Sequence, residues 1–153
     1  MTYNLNEFAK EVHQNAIEHG FWDDDATDER QIALIHSEWS EALQADRGGC
    51  APREVCTELI DGVLRVLDYC SQKGWLVGDK GWNYQLDFFA MVCELHELTH
   101  ILYHEGITIS LPNWQIISLV SAFVRSFGLD PYELMQEKHA YNLTRPHKHG
   151  KRY

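Results

Sequence analysis

Between Ala33 and Tyr69 the chain reads LIHSEWSEAL, a short break, and then EVCTELIDGVLRVLD. Glu38 and Glu41 stand three apart, as do Glu58 and Asp61, and that spacing puts each pair on one face of its own helix. The break, GGCAPRE, holds two glycines and a proline and is too short for anything but a tight reversal. The two helices should therefore run antiparallel as a hairpin, with the acid pairs facing each other. Two carboxylates ~5 Å apart repel by roughly 3 kcal/mol at an effective dielectric of about 20. Four on one pocket need compensating charge, and divalent metal is the expected source. Without it, replacing Glu38 or Glu58 by Gln should relieve repulsion and stabilise the fold.

The hairpin helices commit both of their faces. Around the first, Gln31, Leu34, Glu38, Glu41 and Ala45 share one stripe, while Ile32, His36, Trp39 and Leu43 share the opposite one. Around the second, Glu58, Asp61, Arg65 and Asp68 oppose Leu59, Val63, Val66, Leu67 and Cys70. His36 and Trp39 read as packing residues at the back of the site, in the core or against a second subunit. An ExxE or ExxD alone is usually a solvated face laced with i,i+4 pairs; two such motifs on one hairpin are what point to a site.

The other patterns are also helical. Asn4 with Glu7 forms a capping box for a first helix to about His19, and Thr27 or Asp28 caps the second. Beyond Gly74 and a turn-rich WLVGDKGWNY, a fourth helix is expected from about Gln85 to Glu105, its apolar face set by Phe88, Phe89, Val92, Leu95, Leu98, Ile101 and Leu102. A short fifth helix follows over 112–126, and Asp130, Pro131 and Glu133 mark the start of a sixth that Pro146 ends. No segment alternates with period two, so the chain is read as all-α: a helical bundle built on the carboxylate hairpin, with no sheet. The acidic run Asp23, Asp24 and Asp25 reads as a solvated loop rather than a source of a fifth ligand.

At 153 residues with 44% hydrophobic content, the chain is expected to form one domain, 1–153, with an extra helical pair around 85–126. Four cysteines without a CxxC, and no apolar leader, point to reduced thiols and a cytoplasmic setting. No apolar run approaches the ~18 residues of a membrane span. A net charge of −10 argues against nucleic acid as partner. The last nine residues, RPHKHGKRY, nevertheless hold four of the 13 Lys and Arg and no acid. An acidic body with a basic end suits carboxylates that hold metal and cations that hold phosphate.

The pairing of IHSEWSEAL with ELIDGVLRVLD, and the closing KHAYNLTRPHKHGKRY, resemble the MazG-like members of the all-α nucleoside triphosphate pyrophosphohydrolases. The resemblance covers the hairpin and the C-terminus, and the His-Gly-Phe-Trp end of the first helix more weakly; Ser37 stands where many members carry a further acid. It implies that Glu38, Glu41, Glu58 and Asp61 ligate Mg2+, and that Lys138, Asn142 and Arg145 contact the triphosphate or frame it. It also implies a homodimer or homotetramer in which a second subunit completes the four-helix core. Magnesium-dependent hydrolysis of (deoxy)nucleoside triphosphates to monophosphate and pyrophosphate is the expected activity. The chemistry agrees, since triphosphate hydrolysis needs positioning, charge neutralisation and a carboxylate that takes a proton from water; Glu38 and Glu41 are equal candidates for that role. His13, Trp22, Trp75, Trp82 and Tyr84 are aromatics able to stack on a base, though each type more often serves packing.

Two rivals remain. His96-Glu97-Leu98-Thr99-His100 matches the HExxH of zinc metalloproteases, but Tyr103 occupies the glycine position of the metzincin extension, and His104 lies two turns, roughly 12 Å, from His96. The three histidines read better as a polar helix face. The other rival is a non-catalytic bundle that binds nucleotides or a partner, its acids serving solubility.

Overall fold

The computed structural model describes residues 3–81, 86–107 and 111–153, and these contain six α-helices and no strand. They are α1 (Leu5–Glu18), α2 (Asp28–Arg47), α3 (Pro52–Gln72), α4 (Phe88–Glu105), α5 (Pro112–Ser126) and α6 (Pro131–Leu143). The chain is all-α, as expected.

The helix starts follow the side chains that cap them. Asn4 accepts from the Glu7 N–H, Thr27 from Arg30, Asp87 from Ala90, and Asp130 from both Tyr132 and Glu133. Thr27, not Asp28, is thus the cap of α2. Gln85, where the fourth helix was expected to begin, lies outside the described residues, as do Trp82 and Tyr84. The apolar face of α4 also needs correction: Phe89 is 65% exposed, and Met91 and Thr99 are buried in its place. Phe89 falls about 120° away from the Leu95–Leu102 stripe, so it cannot share that face.

The α3 helix is the axis of the bundle. It packs against α1, α2, α5 and α6, while α4 packs against α2 and α5. Buried residues from all six helices join one hydrophobic core, in which Trp39, Leu59, Ile60, Leu67, Leu95 and Ile116 are fully enclosed. None of the described helices is long and apolar enough to cross a membrane. The four thiols are free, and burial pushes Cys56 and Cys70 up to about 11 and about 12.

Where α2 crosses α3, the Trp39 ring lies directly over Gly62, so close that a Cβ on Gly62 would sit 2.1 Å from the ring. Glycine inside a helix costs roughly 0.5–1 kcal/mol relative to alanine, and here the missing Cβ is what lets the two helices meet. The indole N–H donates to Thr99 Oγ1 of α4 at 2.9 Å, so the one buried polar atom of Trp39 is satisfied. The back of α2 is thereby covered by α4 within the same chain. Gly62→Ala should lower stability by about 1–3 kcal/mol through overpacking, read as a lower urea midpoint at unchanged slope. An unaltered midpoint would mean that the helices are not pressed together at this point.

Candidate functional site

On the face of the hairpin opposite Trp39, the acid pairs open onto a cavity of about 250 Å³ lined by α1, α2, α3, α6 and the C-terminal segment. Glu38, Glu58 and Asp61 each bring a carboxylate oxygen within 4.8 Å of the other two. Among the described residues no other group of three such side chains is so placed. Glu41 lines the same cavity but stands outside the trio. A cluster of hard oxygen donors without sulfur or imidazole is the donor set that suits Mg2+, so the residues present fit the metal that the motif pattern implies.

Two cations of the chain sit on this trio. Arg65 Nε donates to Glu38 Oε1 at 2.5 Å, and Lys138 Nζ pairs with Asp61 Oδ2 at 2.8 Å. Burial raises Asp61 to about 6, with Lys138 opposing the rise and Glu38 and Glu58 adding to it. Glu58 is raised as well, by burial first, with Lys138 opposing and Glu38 and Glu41 adding. At both Glu58 and Asp61, like-charge repulsion thus adds to the larger effect of burial. Glu38 has a guanidinium against it, so for this residue the pairing favours the opposite expectation: its neutralisation would leave Arg65 without an anion.

Lys138, Asn142 and Arg145 all line the cavity. The cationic ends of Lys138 and Arg145 lie 5.3 and 5.6 Å from the Tyr141 ring, and the buried Oδ1 of Asn142 has no hydrogen-bond partner among the described residues. At the far end of the cavity Asp68, almost wholly buried, accepts from Trp22 Nε1 at 2.8 Å, and the same oxygen is 2.7 Å from His13 Nδ1. Burial raises its carboxyl, and those two contacts oppose the rise. Of the remaining aromatics considered, Trp75 packs edge-on against Tyr69, away from the cavity.

The C-terminal segment returns across the end of α1. Lys148 N–H donates to the His19 carbonyl at 2.7 Å, and His19 Nε2 lies 2.9 Å from the Arg145 carbonyl. His147 and Lys148 reach Asp23 and Asp25 at 3.4 and 3.6 Å. The acidic loop thus anchors the basic end. Gly20, at φ +81°, passes beneath the His147 ring where a Cβ would collide at 2.0 Å. Lys148 and His149 adopt left-handed φ of 47° and 53°, a cost of roughly 1–2 kcal/mol per residue that these contacts offset. The turn places His149 and Lys151 on the cavity. Burial and then the cations around it push His149 down to about 4, so its imidazole is neutral at physiological pH.

Arg65, His149 and Lys151 were not among the site residues read from the sequence. The signal for Arg65 was available, since it lies one turn after Asp61 on the same stripe. His149 and Lys151 lie in the basic closing motif, which marked the tail as a phosphate holder without singling them out, and they reach the site because the tail folds back.

The HExxH histidines take different partners. His96 Nδ1 lies 2.7 Å from His36 Nδ1 across the α2–α4 contact, with the rings 9° from parallel, whereas His100 meets His104 with its ring tilted, centroids 4.3 Å apart. Burial lowers both His36 and His96, which suits a neutral pair with one ring donating and the other accepting. Comparison with protein-family models, curated proteins and solved structures finds no match to this chain.

The uneven pairing gives opposite expectations for two glutamates in the metal-free protein. A carboxyl raised in the folded state favours folding at low pH, and that contribution is lost as pH rises through its folded pKa. Glu58→Gln should therefore be more stable than wild type at pH 8, with the advantage fading toward pH 4. Glu38→Gln should instead lose roughly 1–3 kcal/mol, because it leaves Arg65 without its carboxylate. Thermal melts in EDTA across that pH range read both, and equal shifts for the two variants would contradict the pairing.

Proposed function

We propose that the chain is a magnesium-dependent nucleoside triphosphate pyrophosphohydrolase, releasing monophosphate and pyrophosphate. The observation that carries this reading is the meeting of Glu38, Glu58 and Asp61 within 4.8 Å in a cavity whose other wall holds Lys138, Arg145 and Lys151. The resemblance of the hairpin and the C-terminal motif to MazG-like proteins points the same way.

Glu38, Glu58 and Asp61 would hold the metal, with Glu41 at the edge of the set. Bound there, magnesium supplies charge neutralisation for a polyphosphate and lowers the pKa of water. Lys138 and Arg145 grip the outer phosphates, and Lys151 adds a third cation from the tail. The cavity is smaller than the ~300–1,000 Å³ typical of small-molecule pockets, a size that suits the phosphates with the nucleoside toward the opening. Glu38 belongs to the trio that would hold the metal, so Glu41 is the carboxylate left to accept a proton from the attacking water. With the cations holding the outer phosphates, that water approaches the α-phosphorus and pyrophosphate leaves as the better-neutralised group.

In oxygen-18 water, turnover of a deoxynucleoside triphosphate panel should place label in the monophosphate beside unlabelled pyrophosphate. Glu41→Gln should slow that reaction by about 10²–10⁴-fold. Label in orthophosphate with diphosphate as co-product would sink the assignment.

The histidine motif is tested separately. His96→Gln with His100→Gln should leave nucleotide hydrolysis near the wild-type rate and the zinc content by elemental analysis unchanged. Loss of one tightly held zinc per chain would reverse the ranking of the two motifs.

A further inference from the structure

We infer that Arg65 is a phosphate-binding residue held in reserve on Glu38, freed into the cavity when a divalent cation takes that carboxylate. The inference rests on the reading of the trio as a metal site.

Arg65 is 23% exposed and its partner Glu38 8%, so the pair is largely withdrawn from water. The guanidinium engages Glu38 through Nε, and Lys138 engages Asp61. Two of the three converging carboxylates are thus each covered by a cation of the chain itself. A divalent ion binding the trio must compete with Nε and Nζ for the same residues.

A displaced guanidinium cannot shed its charge, because its pKa stays above ~12 in proteins. Its stem and plane are held at the cavity, 5.6 Å over the Phe21 ring, and that ring in turn packs edge-on against His149. The freed group would be a half-buried cation without an anion, which is strongly unfavourable until one arrives. A planar fork matches a phosphate bidentately, so a polyphosphate entering with the metal is the fitting replacement for Glu38.

The charge of the lining supports the same exchange. Five carboxylates face four Lys and Arg side chains around the cavity, a near balance before anything binds. A divalent metal turns that small negative excess into a positive one, which an anion such as a polyphosphate answers. Asn15, 7% exposed, and Asn142 also line the cavity, each with a buried Oδ1 that has no partner among the described residues, which suits a polar ligand in this space.

Calorimetric titration of the full chain tests the exchange, first with Mn2+ alone and then with inorganic tripolyphosphate in saturating Mn2+. Arg65→Gln should bind Mn2+ alone several-fold more tightly than wild type, because the competitor for Glu38 is gone. It should bind tripolyphosphate about tenfold more weakly or worse, as the loss of a charge-assisted contact requires. Arg65→Lys, which keeps the charge without the fork, should return Mn2+ binding to the wild-type level and recover only part of the tripolyphosphate affinity; it also carries the test if the Gln variant does not fold. Tripolyphosphate affinity equal in wild type and variants overturns the inference, as does Mn2+ binding to Arg65→Gln no tighter than to wild type. Neither titration needs turnover. Wild type that binds both ligands but hydrolyses no nucleotide overturns the proposed function and leaves the exchange standing, whereas wild type that takes up no Mn2+ overturns both.

Discussion

The contact on which the site depends is the seating of Trp39 on Gly62. Each of these residues is the immediate neighbour of an acid of the trio, Glu38 before Trp39 and Asp61 before Gly62. Adjacent positions on a helix are about 100° apart, so a knob and hole at the back of the crossing fix the height and separation of the carboxylates at the front. Hydrophobic packing thus sets an electrostatic distance. The close approach that buries the indole also forces negative charges to within 4.8 Å, and the favourable packing of Trp39, Ile35 and Ala42 against α3 and α4 helps to offset that repulsion.

The rest of the offset is supplied by cations from three parts of the chain. Arg65 comes from the acid-bearing helix itself, Lys138 from α6, and Lys151 from the returning tail. Their distribution divides the acids into two kinds. Glu38 and Asp61 have a cation at hydrogen-bond distance, and Glu58 does not. This separates roles that four identical-looking carboxylates cannot separate on their own.

The acidic loop over 23–25 and the basic end form a second, more exposed electrostatic contact. Most of these pairs are solvent-facing, so each is worth little alone. Their effect is positional: together with the Lys148–His19 backbone bond and the missing side chain of Gly20, whose place the His147 ring takes, they bring His149 and Lys151 to the cavity. The −10 net charge therefore conceals a mixed site, in which opposite charges are segregated along the sequence and brought together in space.

The sequence by itself determined the helices, their caps and the carboxylate stripe, because these follow from spacing, turn residues and side chains that act within a few positions. Asn4, Asp130 and the run Glu58, Asp61, Arg65, Asp68 are legible in this way. Only the tertiary structure decided which carboxylate is paired, that Glu41 stands outside the trio, that His96 turns to His36 rather than toward His100, and that α4 covers the back of α2. Those outcomes depend on contacts between residues 27 to 77 positions apart in the chain, such as Arg65 with Glu38 and Lys138 with Asp61. Helical periodicity gives the direction in which a side chain points from its own axis; which group it meets there is set by how the axes pack.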